Sequence, residues 1–188
     1  MFLPAEGSLG IGSTFHQLSD QFVRQVRSET TFQQLFRGHS EHLDIEAIAE
    51  QLQQSLYASH FFPYLQQTAA QEPGKAQALL QLWQGLRGLI HRWAKLLVRN
   101  RRYCSPQDVI RKTFLAQELN VDHEFLLPDG TSQLVRGRCD SLVYDFTNHR
   151  LCVVEYKTYQ SPEPSAQLAQ VALYGYMLRG KIGVAIDS

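Results

Sequence analysis

Apolar residues in the first part of the chain recur every third or fourth position. Phe15, Leu18, Phe22 and Val26 form one row, Ile45, Ile48, Leu52 and Leu56 a second, and Leu79, Leu82, Leu86, Leu89, Trp93 and Leu97 a third. That spacing places each row along one side of an amphipathic helix and predicts a helical region from Ser13 to about Leu119. Ser13 or Thr14, following Gly12, is a candidate cap for the first helix. Ser105-Pro106-Gln107-Asp108 has the form of another helix start, with Ser at the cap and Pro at the first helical position. The breaks at Arg37–Ser40 and Gln71–Gly74 read as loops inside this helical region.

From Asn120 the period changes to that of strands. Val121–Leu127 is predicted as a strand, Pro128-Asp129-Gly130 as a turn, Gln133–Asp145 as a longer strand, and Arg150–Thr158 as a third strand after the turn at Thr147–His149. Ser161-Pro162-Glu163-Pro164-Ser165 then opens a helix over about Ala166–Leu178, Gly180 ends it, and Ile182–Ile186 is a last strand. Helices followed by β-β-β-α-β predict a single α/β domain over 1–188, with a helical lobe over about 1–118 and an α/β core over about 119–188. The last strand reaches the end of the sequence, and the natural chain is expected to continue beyond Ser188.

Composition narrows the function. Of 188 residues, 44% are apolar and 19% charged, which suits a folded core and not a disordered segment. Lys plus Arg balances Asp plus Glu at 18 each, so no global field draws the chain to polyanions, and any nucleic-acid contact must be local. The cysteines, Cys104, Cys139 and Cys152, are odd in number and contain no C-x-x-C, which argues against a disulfide framework or a zinc site. No leader-like segment and no long apolar run is present, so the expectation is a cytoplasmic protein without a membrane partner.

The chemistry centres on Val153-Val154-Glu155-Tyr156-Lys157. On a strand, residues two apart share a face, so Glu155 and Lys157 are predicted to point the same way at the end of an apolar approach. Alone, E-x-K is an ordinary surface ion pair. The preceding strand adds Gly137-Arg138-Cys139-Asp140, and the hairpin can set Asp140 beside Glu155. Adjacent carboxylates repel and stay ionised at neutral pH only with a nearby cation, which a divalent metal with oxygen ligands provides. The following helix carries Gln170 and Tyr174 at i and i+4, with Gln167 a turn earlier on the same side. Arg136 and Arg138 alternate on the same strand face as Asp140 and can meet phosphates there. Arg99-Asn100-Arg101-Arg102 is the densest basic run, though such residues also suit the last turn of a helix. Phe61, Phe62 and Tyr64 can stack bases or simply fill the helical core.

The order G-x-x-D, E-x-K, Q-x-x-x-Y on strand, strand and helix resembles the PD-(D/E)xK nucleases, and most of all their RecB-like branch of recombination-helicase and CRISPR-adaptation nuclease domains. The likeness covers Gly12–His16 and about Glu118–Tyr174. Gly12-Ser13-Thr14-Phe15-His16 is similar to that branch's G-x-x-x-H, which makes His16 a candidate metal ligand; His91, after Gly88, is one residue short of that spacing. Glu118 resembles an acidic position of the branch. The resemblance implies a restriction-endonuclease-like core and Mg²⁺- or Mn²⁺-dependent cleavage of DNA in repair, recombination or defence. It implies a metal held by His16, Asp140, Glu155 and the Tyr156 carbonyl, with Lys157 at the reacting water. Gln170 and Tyr174 would brace Lys157 and, with Arg136 and Arg138, contact the DNA. Relatives with an iron–sulfur cluster use a cysteine upstream of any present here, so no cluster is expected. There is no G-x-x-x-x-G-K-[ST], so a helicase or ATPase would be a separate partner or a fused domain. The alternative is a non-catalytic nucleic-acid-binding or scaffolding domain on the same fold.

Overall fold

The computed structural model describes residues 11–157, 164–182 and 186–187. The chain forms two compact units that divide between Thr113 and Phe114, with Lys157 grouped with the first.

The first unit is helical. Helix α1 spans Ile11–Ser28, α2 Ile45–Leu56, α3 Phe62–Gln71, α4 Ala76–Asn100 and α5 Val109–Thr113. The predicted rows are its interior: Leu18, Phe22, Leu52, Leu56, Leu86 and Leu97 are buried. Each such side chain contributes on the order of 1.5–3 kcal/mol by leaving water, so the alternation of apolar and polar positions is enough to dock α1 and α2 on α4. Asp44 caps α2 by accepting from the N–H groups of Glu46 (2.8 Å) and Ala47 (3.3 Å), two of the donors a helix start leaves unpaired. The basic run after α4 is largely structural at Arg101. Its guanidinium donates to the carbonyls of Phe36 (2.8 Å) and Cys104 (2.9 Å), tying the end of α4 to the segment before α2. Asn100 and Thr113, both buried, join α4 to α5 through a 2.9 Å hydrogen bond.

Several boundaries differ from the sequence reading. Helix α1 spans Ile11–Ser28, so Ser13 and Thr14 lie within it, and the Thr14 hydroxyl meets the Tyr64 hydroxyl at 3.3 Å. A π turn at Tyr57–Phe61 carries α2 into α3 without a break. Phe61 is core, packed against Trp83 with ring centroids 4.9 Å apart. Ser105 accepts from the Asp108 N–H at 3.2 Å, but the helix proper waits until Val109. The helical pattern ends at Thr113 and not near Leu119, because Phe114–Gln117 already pair with a neighbouring strand.

The second unit is a sheet in the order β1-β2-β3-β4 with one helix packed on it. Strand β1 spans Phe114–Leu126, β2 Ser132–Asp145, β3 Arg150–Val154 and β4 Ile186–Asp187; helix α6 spans Pro164–Ile182. β1, β2 and β3 are antiparallel neighbours, and β4 runs parallel to β3. The β-β-β-α-β order is as predicted. Helix α6 runs past Gly180, and β4 begins later than Ile182. The core of this unit joins Val121, Cys139, Leu142 and Leu151 of the sheet to Tyr174, Met177 and Leu178 of α6.

Candidate metal centre

The centre is built where β1, β2 and the end of β3 meet. Gln117 lies opposite Ser141 and Leu119 opposite Cys139, which sets Glu118 across from Asp140 on the adjacent strand. Their carboxylate oxygens come within 4.8 Å of each other. Like charges directly opposite on neighbouring strands are destabilising. Glu118 also takes a left-handed backbone, φ 52°, which a residue with a Cβ adopts at a cost on the order of 1–3 kcal/mol. The sheet therefore holds two carboxylates together against both electrostatics and backbone preference.

Two groups offset part of that cost. Arg138, two residues from Asp140 along β2 and opposite Asn120, reaches back so that its Nε lies 2.7 Å from Glu118 Oε2. The backbone N–H of Tyr156 donates to Asp140 Oδ2 at 2.6 Å. This second bond ties the segment leaving β3 to β2 and sets Tyr156 against Asp140. β3 ends at Val154, so Glu155, Tyr156 and Lys157 lie beyond the strand. Strand alternation therefore does not carry the prediction that Glu155 and Lys157 share a face. Thr158 lies outside the described residues.

Helix α6 supplies the support for Glu155. Gln170 Nε2 donates to Glu155 Oε1 and to the Tyr174 hydroxyl, both at 3.0 Å. The i, i+4 spacing lets one amide hold both groups. Tyr174 is buried against Gly137: a Cβ at Gly137 would fall within 3.1 Å of the tyrosine Cζ and hydroxyl oxygen, and closer to Cε1. The glycine of G-x-x-D is thus explained by the tyrosine of Q-x-x-x-Y. One turn before Gln170, Gln167 places its Nε2 in the interior with no hydrogen-bond partner among the described residues. A buried donor of that kind costs roughly 1–3 kcal/mol unless a ligand or water accepts from it.

Each sequence-predicted residue can now be placed. Asp140, Glu155, Tyr156, Gln170 and Tyr174 are brought together in the sheet unit by the bonds above. Arg136 is exposed on β2, and Arg138 is engaged with Glu118. His16 is half-buried on α1 of the helical unit, and Lys157 groups with that unit too. His91, on α4, has its Nδ1 3.5 Å from Glu46 Oε2 on α2. Glu118 takes a larger place than the sequence reading gave it. Its signal was only an acidic residue ahead of the hairpin, and pairing register and φ single it out.

Comparison with known proteins gives the family. The model of the PD-(D/E)XK nuclease superfamily matches residues 3–184. The chain belongs to the PD-(D/E)XK nuclease superfamily. No curated protein and no solved structure matches it significantly. The PD-(D/E)XK assignment accounts for the helical N-terminal region with a mixed sheet, and it supports a nuclease-type function. PD-(D/E)XK nucleases use divalent metals, and the donor set here fits one. Paired carboxylates, hard oxygen donors held together despite repulsion, suit a small divalent cation better than a soft metal. Among the described residues no helix is long and apolar enough to cross a membrane.

Proposed function

We propose that this chain is a metal-dependent deoxyribonuclease, hydrolysing DNA phosphodiester bonds at the centre around Asp140 with Mg²⁺ or Mn²⁺. The observation that carries the reading is the close Glu118–Asp140 pair, set on adjacent strands with Glu118 in a strained backbone. Asp140, Glu155, Glu118 and the Tyr156 carbonyl are the residues that would hold the metal. His16, which fits the G-x-x-x-H pattern, is proposed as a further ligand. When bound, the metal supplies charge neutralisation at the scissile phosphate and a water of lowered pKa.

The chain's own residues do the rest. Lys157 orients the attacking water and stabilises the charge that develops on the phosphate oxygens. Gln170 fixes Glu155, with Tyr174 as its second anchor. Arg138 keeps Glu118 in place. Arg136 contacts the DNA backbone farther along β2. A role in repair, recombination or defence beside a helicase or ATPase is the setting that the RecB-like motif order suggests.

The test is cleavage of end-labelled single- and double-stranded DNA with Mg²⁺, with Mn²⁺ and with EDTA, beside Glu155→Ala and Lys157→Ala. Cutting that needs metal and is lost in both variants is the expected result. A folded chain that binds DNA and never cuts under any of these conditions would replace the nuclease with the non-catalytic reading. Manganese titration of His16→Ala against His91→Ala assigns the histidine: the larger loss of affinity is expected in His16→Ala.

A further inference from the structure

The two long strands of the sheet unit run well past the third. β3 pairs only with Ser141–Asp145 of β2, whereas β1 and β2 remain paired out to Leu126 and Ser132. On this two-stranded arm, His123 and Phe125 point to the side on which α6 packs, since they alternate in register with Val121, a core residue. They meet Tyr176 of α6. The Phe125 and Tyr176 rings are stacked, with centroids 5.6 Å apart and planes 21° apart. His123 stands edge-on to both, 4.6 Å from Phe125 and 5.3 Å from Tyr176.

This cluster is not ordinary core. Tyr176 is 57% exposed, while Tyr174, Met177 and Leu178 on the same helix are buried. Leaving so large a ring in water forgoes much of the stabilisation its burial would bring. Arg179, also exposed, lies at i+3 from Tyr176 and so is its neighbour on the helix surface. An exposed aromatic ring backed by a second ring, with a guanidinium one turn away, combines a flat apolar surface with a cation. A nucleobase offers a flat π face, and its phosphate offers the complementary charge.

We infer that His123, Phe125, Tyr176 and Arg179 form a base-stacking site for a single-stranded segment of the nucleic acid that the centre cleaves. This rests on the reading of the chain as a DNA nuclease and names how that substrate is gripped. His123 is five residues along β1 from Glu118, roughly 17 Å at the rise of a strand. The site therefore engages nucleotides several positions from the scissile bond. Tyr176 carries the stacking surface, Phe125 and His123 hold its ring in place, and Arg179 takes the phosphate. Stacking is tolerant of sequence, since every base has a π face.

The test measures binding of the full chain in EDTA to a fluorescein-labelled oligo(dT) of about 12 nucleotides, by anisotropy. An abasic oligonucleotide of the same length and charge is the control. The parent chain is expected to prefer oligo(dT). Tyr176→Ala should weaken oligo(dT) binding by about tenfold or more and leave abasic binding as it was, and Tyr176→Phe should keep the preference. Arg179→Gln should weaken both ligands alike and flatten the salt dependence. Circular dichroism and a melting curve establish that each variant is folded. No preference for oligo(dT) in the parent, or equal loss of both ligands in a folded Tyr176→Ala, overturns the site. Metal-dependent cleavage with no effect of Tyr176→Ala on binding removes the stacking site alone. Tyr176-dependent binding without cleavage removes the nuclease and leaves the stacking site standing.

Discussion

Replacing Gly137 by alanine tests how the motifs are joined. The added Cβ would sit 3.1 Å from Tyr174 Cζ and from its hydroxyl oxygen, and under 3.0 Å from Cε1. Carbon pairs rest at about 3.5–4.0 Å, so the ring must withdraw by on the order of 1 Å. It has little room to do so, because Tyr174 is 8% exposed and belongs to the core with Cys139, Met177 and Leu178. Overpacking of this kind costs about 1–3 kcal/mol, which for a chain of this size is a fall of roughly 2–12 °C in Tm. The displacement is also passed on, since the Tyr174 hydroxyl and Glu155 Oε1 share the Gln170 amide. Calorimetric melting and metal-dependent cleavage rates on the same preparation are the assay. Gly137→Ala should lose both stability and rate. Adding Tyr174→Leu should restore melting without restoring cleavage, because room returns but the hydroxyl does not. A Gly137→Ala protein that melts and cleaves like the parent would refute the linkage of G-x-x-D to Q-x-x-x-Y.

Other consequences follow from the same contacts. Glu118→Gln should weaken Mn²⁺ binding on the order of tenfold in calorimetry, since ligand charge sets affinity for a hard cation. In EDTA the same variant should melt no lower than the parent, because its repulsion with Asp140 is removed; a lower melting point would mean that Glu118 serves the fold and not the metal. His60 lies in the helical unit with its Nε2 2.9 Å from Gln25 Oε1, and burial holds its pKa below the usual histidine value, against a smaller opposing effect of Glu29. The unfolded chain therefore binds this proton first as pH falls. The stability that the neutral ring contributes is present above about pH 6.5 and is lost as pH drops through the lower folded pKa. Urea midpoints at pH 7.5 and 5.5 should differ less in His60→Phe than in the parent, and an unchanged difference would assign the pH dependence elsewhere. The Cys139 thiol is fully buried and its pKa is pushed up to about 11, chiefly by burial. It should resist a thiol-specific reagent in native protein and react on unfolding, with Cys139→Ser identifying the silent group.

The sequence by itself determined the periodic part of this protein. Phe22, Leu52 and Leu86 are buried because helical spacing aligns them, and a helix hides such a row wherever it docks. The β-β-β-α-β order was equally legible from alternation and turns, and G-x-x-D, E-x-K and Q-x-x-x-Y were visible as strings. Boundaries were not: Phe114–Gln117 read as helix until β2 supplied their hydrogen-bond partners, and β3 stopped at Val154 although its apolar pattern suggested more. Only the tertiary structure decided which atoms meet. Pairing register set Glu118 across from Asp140, a relation between residues 22 positions apart that no local pattern encodes. Packing of α6 turned Gly137 from a flexible residue into one that a tyrosine ring requires. It also sent Gln170 to Glu155, a contact between residues 15 positions apart that no local pattern encodes. Local sequence fixes backbone period and the side to be buried; the centre depends on register and on close contacts between elements, and those are settled when the elements pack.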